Sequence, residues 1–114
     1  YQRLLDRLLA VEGALGALLL DAMGEVVLEA GARDERHRLI GAYQGIALAV
    51  ARRIGARHGT GAVDSLVCRY SKAALVLQPL KDGYYFVLAL SPHGRLAEAV
   101  RRSESARRRI DQEL

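Results

Sequence analysis

Three histidines, His37, His58 and His93, are the residues best able to move a proton near neutral pH, and none stands where a reaction would need it. Each falls near a predicted helix or loop end. No carboxylate or cysteine lies at motif spacing from any of them, so solvated surface positions fit better than bases or metal ligands. Ser65 and Ser103 lack the context of a nucleophile elbow. Asp21 and Asp82 occur in turn sequences, Asp21-Ala-Met-Gly24 and Lys81-Asp-Gly83, where a short carboxylate serves the backbone. Neither phosphate-cradling glycine motif is present, G-x-x-x-x-G-K-[ST] or G-x-G-x-x-G. The single Cys68 excludes an internal disulfide and a multi-cysteine metal site. It reads as a small core residue in a strand, in keeping with a reducing cytoplasm. The sequence thus offers no catalytic residue, cofactor or metal site.

Arginine is the remaining chemistry. The chain has 17 Lys+Arg against 13 Asp+Glu, a net charge of +4, and only Lys72 and Lys81 are lysine. Arg38, Arg52 and Arg53 flank a ridge of small residues and could dock or steer a charged partner. The plainer reading is a solvated helix with cations near its C-terminal dipole. The run Arg101-Arg-Ser-Glu-Ser-Ala-Arg-Arg-Arg109 is interleaved with acid and has no aromatics, so a solvated helix face fits better than nucleic acid or an anionic membrane. Tyr84-Tyr85-Phe86 reads as strand core.

The elements that would hold these residues follow from hydropathy. At 114 residues, 51% hydrophobic and 26% charged, residues 1–114 form one domain with one real core. No run is apolar enough to span a bilayer. No signal-peptide pattern is visible, and a start at Tyr1 points to a trimmed or processed terminus. A helix is expected from Tyr1 to Val11, with Leu4, Leu5, Leu8 and Leu9 on one stripe. Ala14–Asp21 is continuously apolar, hence a central strand, and Glu25–Ala30 returns as an edge. After a polar connection over 31–35, Asp34 caps a helix running to Arg57 and stopped by Gly59-Thr-Gly61. Ala62–Tyr70 alternates as an edge strand, with Leu66 and Cys68 on one side. Ala73–Leu80 is the fourth strand, with Pro79 near its end. Tyr84–Leu90 is a central fifth strand. A charged helix closes the chain from Arg95 to Glu113, with a thin stripe of Leu96, Val100 and Ile110.

The order α-β-β-α-β-β-β-α describes an α+β domain, a three-layer α/β/α sandwich around one five-stranded, mostly antiparallel sheet. The middle helix covers one face and the terminal helices the other. On the middle helix Leu39, Tyr43, Ile46, Val50 and Ile54 make a large apolar stripe, expected to cover the sheet. Nearly opposite, Gly41, Gly45 and Ala49 make a ridge of small residues. Each glycine costs a helix about 1 kcal/mol relative to alanine, so the ridge suggests close approach of another backbone, here a second molecule.

Several segments together resemble the Roadblock/dynein light chain family, over nearly the whole chain. Val11-Glu-Gly-Ala-Leu-Gly-Ala-Leu-Leu-Leu-Asp-Ala-Met-Gly24 is similar to that family's helix end, first strand and Asp-x-x-Gly turn. The Ala/Gly-rich middle helix is similar too, as is Leu75-Val-Leu-Gln-Pro-Leu-Lys-Asp-Gly83 with the apolar strand after it. Ser91-Pro-His-Gly94 departs from the polar, Asn-containing entry common before the family's last helix. The resemblance implies a Roadblock/profilin-like fold and a dimer whose middle helices pair antiparallel and whose third strands can join. It also implies a partner, because bacterial members commonly act with a small Ras-like GTPase.

The expectation is therefore a non-enzymatic, cytoplasmic homodimer that regulates or scaffolds a small Ras-like GTPase. Its dimer face would be Gly41, Gly45, Leu48, Ala49, Leu66 and Cys68, and Arg38, Arg52 and Arg53 would meet the GTPase. Two alternatives remain at this point. One is a small-molecule-sensing profilin- or PAS-like domain, which needs a cavity between sheet and helix. The other is a light-chain-like adaptor that takes a peptide at a sheet edge.

Overall fold

The computed structural model describes residues 1–31 and 34–113, without the side chain of the last; the middle of the 31–35 connection lies outside the described residues. The elements are α1 (Gln2–Leu8), β1 (Ala14–Leu20), β2 (Val26–Gly31), α2 (Glu35–His58), β3 (Leu66–Arg69), β4 (Ala74–Pro79), β5 (Tyr85–Leu90) and α3 (Leu96–Glu113). All five strands join one sheet in the order β2-β1-β5-β4-β3, and every pairing is antiparallel. The two edges are those expected from their polar residues. β4 and β5 are buried along their whole length, as strands covered on both faces must be.

Alternation divides the sheet's side chains between two cores. Ala17, Leu19, Val76, Phe86, Leu88 and Leu90 face α1 and α3, where Leu5, Leu8, Val11, Ala99, Ala106 and Ile110 meet them. Leu18, Leu20, Leu75, Leu77, Tyr85, Val87 and Ala89 face α2, which contributes the fully covered Leu48. The Ser91–Gly94 break is held against the α1–β1 loop. Ser91 N–H donates to Gly13 O at 2.8 Å and Arg95 N–H to Glu12 O at 3.1 Å.

Three expectations need correction. β3 is four residues long rather than nine, because the preceding segment leaves the sheet edge toward α3, where Arg107 donates to Asp64 O at 3.3 Å. The inward face of α3 is Ala99, Ser103, Ala106 and Ile110, with Leu96 and Val100 only partly covered. The faces of α2 are the reverse of those expected. Gly41 and Leu48 lie buried against the sheet and Gly55 against the loop that follows the helix, while the large apolar stripe points away from the sheet.

Candidate docking face

α2 starts and stops on local signals. The Asp34 side chain accepts the Arg36 N–H at 2.9 Å, and the Arg36 guanidinium bonds the same carboxylate at 3.0 Å. Those bonds hold the Asp34 carboxyl at about 2, below its usual 3.8. At the far end Gly59 is left-handed, φ 71°, and its N–H bonds Gly55 O.

The helix rotates as it does because of Tyr85. The sheet already carries large side chains beneath α2, so the helix can approach only with a small face. The Tyr85 ring lies under the helix and its hydroxyl donates to Gly41 O at 3.2 Å. Burial, and then the Asp21 charge, raise the Tyr85 phenol pKa. A Cβ on Gly45 would stand 2.1 Å from the Tyr85 hydroxyl oxygen, and one on Gly55 would stand 2.3 Å from Gly61 O. Gly41 and Gly45 of the small ridge therefore accommodate this chain's own sheet, and Gly55 its own loop.

This settles where the expected dimer residues lie. Gly41 and Leu48 are covered by the chain's own sheet, and Gly45 is half-buried, with Tyr85 beneath it. Ala49 is exposed at the flank of the helix. Leu66 and Cys68 are half-buried on the edge strand and point to the α2 side, where burial raises the Cys68 thiol pKa.

The outer face of α2 is instead the large exposed apolar feature of the chain. Leu39 is 52% exposed, Tyr43 70%, Ile46 63%, Val50 39% and Ile54 54%. At 1.5 Å per residue the stripe runs about 22 Å. A contiguous row of this kind marks an interaction surface in a globular protein. Sequence reasoning found these residues but assigned them to the core. Period alone cannot say which of two apolar faces meets the sheet.

The three arginines separate. Arg38 is committed to the edge strand: its Nε donates to Glu29 at 3.1 Å, its Nη2 bonds the other oxygen, and these bonds raise its pKa. Arg52 and Arg53 are exposed. Arg52 borders a hollow with Gly45, Leu48, Ala49 and Tyr85, and Arg53 borders the next one with Tyr43 and Ile46. On the opposite flank Gln44 donates to the Tyr70 hydroxyl at 2.7 Å, tying α2 to the end of β3. Of the histidines, His58 and His93 are exposed, but the His37 side chain is only 13% exposed and lies 3.9 Å from Asp34. Among the described residues no group of three His, Cys, Asp or Glu is placed to hold a metal ion. No helix among them is long and apolar enough to cross a membrane.

No family model matches the chain, and no curated protein matches it by sequence. Solved structures do. A Roadblock/LC7 domain from Streptomyces avermitilis superposes with a TM-score of 0.83 at 17% identity, covering 99% of this chain and 96% of that one. This is the Roadblock/LC7 fold. Myxococcus xanthus MglB shares it with a TM-score of 0.81 at 15% identity, over 97% of this chain and 91% of that one. The gliding protein MglB of Thermus thermophilus shares it at 0.77 and 19%, over 98% and 88%. On this fold the stripe of α2 is exposed.

Proposed function

We propose that this chain is a non-enzymatic, cytoplasmic, homodimeric regulator or scaffold of a small Ras-like GTPase. The observation that carries the reading is the exposed stripe Leu39, Tyr43, Ile46, Val50 and Ile54 on α2 of a Roadblock fold. Two copies pair these stripes antiparallel. Covering the row from both copies supplies the apolar burial that offsets the cost of association. MglB with a tetrameric arrangement, similar in fold at 17% identity, supports self-association here. Arg52 and Arg53, beside the stripe and exposed, meet the GTPase and steer its approach. Regulation requires different affinity for the GTP and GDP forms.

The test is binding of the purified protein to the host's Ras-like GTPases, each loaded with GDP or a non-hydrolysable GTP analogue. Preference for one state supports a regulator, and equal affinity leaves a scaffold. Binding to none overturns the GTPase reading and favours the adaptor, with the free edge of β3 as its peptide site.

A further inference from the structure

The arginine-rich run of α3 is not one uniform solvated face. Ser103, Ala106 and Ile110 turn inward and Arg107 reaches Asp64, while Arg102 and Arg109 turn toward α1. There, with Arg7, they rim a hollow of about 190 Å³ whose floor is Leu4, Leu8 and Ala106. Ser105 completes its wall. The floor is well covered, with Leu8 3% and Ala106 6% exposed. Three arginines thus line one notch with an apolar floor, on the side of the sheet opposite α2.

Two of the three charges have no partner among the described residues. Among the described residues Arg7 and Arg109 make no ion pair, and Arg102 pairs only with Glu98 one turn back, at 3.0 Å. Of the acids on and after α1, Glu12 pairs with Arg95 at 2.9 Å, and Asp6 accepts from the Gln2 amide at 3.3 Å. Arg102 and Arg109 are seven residues apart on one helix, about 10 Å along its axis. Carboxylates match that separation when spaced seven apart on a partner helix. Guanidinium forks suit carboxylates bidentately. α3 has no aromatic residue on which a base could stack. A concave notch with an apolar floor admits a side chain, which a flat lipid surface does not supply.

We propose that the α1–α3 notch is a second docking surface. It takes an acidic amphipathic segment of a partner protein, seating an apolar side chain on Leu4, Leu8 and Ala106 and carboxylates on Arg7, Arg102 and Arg109. It lies on the face that α2 does not use, so it stands independently of the GTPase reading.

The probe is a dye-labelled helical peptide with leucine on one face and glutamate pairs seven apart, read by fluorescence anisotropy. Arg7→Gln with Arg109→Gln weakens binding about tenfold, because two partly exposed guanidinium–carboxylate pairs no longer form. Arg101→Gln with Arg108→Gln, the same charge change outside the notch, weakens it less than about twofold. Equal losses in the two double variants overturn the proposal. So does equal binding of a peptide with glutamine for glutamate, or binding to phosphatidylserine vesicles without binding to the peptide. Should the notch variant fold poorly by circular dichroism, amide shift changes in the unsubstituted protein decide. They fall on Leu4, Arg7, Ala106 and Arg109 if the proposal holds and elsewhere if it fails.

Discussion

Replacing Gly45 with alanine separates two accounts of the small ridge on α2. If the ridge faced solvent or a distant neighbour, Gly45→Ala would stabilise the helix by about 1 kcal/mol through propensity alone. The structure predicts the opposite sign. The new Cβ would stand 2.1 Å from the Tyr85 hydroxyl oxygen and 2.4 Å from Cζ, so one of the two must retreat by about an ångström. Tyr85 is 4% exposed and bonded to Gly41 O, so the ring withdraws only by giving up that bond. Overpacking of this kind costs about 1–3 kcal/mol, and loss of the Tyr85 hydrogen bond adds about 1. After the gain in propensity the net loss is about 2 kcal/mol, or about 8 °C in melting temperature for a domain of this size. The decisive measurement is the same substitution in a Tyr85→Leu background. There the obstruction is gone and Gly45→Ala becomes stabilising, which makes the coupling between the sites about 3 kcal/mol in urea titrations. A stabilising Gly45→Ala in the original chain would refute the reasoning, as would a loss that persists without Tyr85. A loss that deepens on dilution would put Gly45 at a contact between copies.

Tyr43→Glu with Ile46→Glu changes the unfolding free energy of the monomer by less than about 0.5 kcal/mol per site, because both residues are exposed, yet it abolishes self-association in light scattering. Unchanged oligomeric state would remove α2 from the interface. In the α3 core the Gln78 amide donates to Ser103 Oγ at 3.0 Å, and its carbonyl has no partner among the described residues. Ser103→Ala therefore costs about 1–3 kcal/mol by stranding the amide, whereas Gln78→Leu is neutral or stabilising in chemical denaturation. Asp34 has a depressed pKa in the folded state, so its stabilisation of α2 is complete above about 3.8 and is lost as pH falls through about 2. A carboxyl titration followed by NMR should show that midpoint, and Asp34→Ala should remove the acid-dependent fraying of the first turn.

Much of this architecture is legible from pattern. The unbroken apolar runs of β1 and β5 mark central strands, and Glu25 and Glu29 mark an edge, because burial on both faces leaves no position for charge. Asp34 and Gly59 bound α2 through chemistry that acts within one turn. What pattern could not give is the rotation of the helices. Large residues were expected inward on α2 and on α3. In both, mostly small residues face the sheet, with Leu48 and the expected Ile110 as the large exceptions, because Tyr85, Leu77 and Val87 on one side and Phe86, Leu88 and Val76 on the other already fill much of the space between layers. That depends on pairings distant in sequence. The notch between α1 and α3 was hidden for the same reason, since only the packed helices bring Arg7 to Arg102 and Arg109.

α2 spends little of itself on folding. Of its 24 residues only Gly41, Leu48 and Gly55 are buried, one every second turn, and two of these are glycines. Substitutions across the outward half of the helix therefore leave the sheet and both cores in place. Partner choice on such a scaffold can drift, duplicate and diverge faster than the fold itself. Chains can then keep the same superposition while sharing fewer than one residue in five, as this one does with the Streptomyces domain at 17% identity.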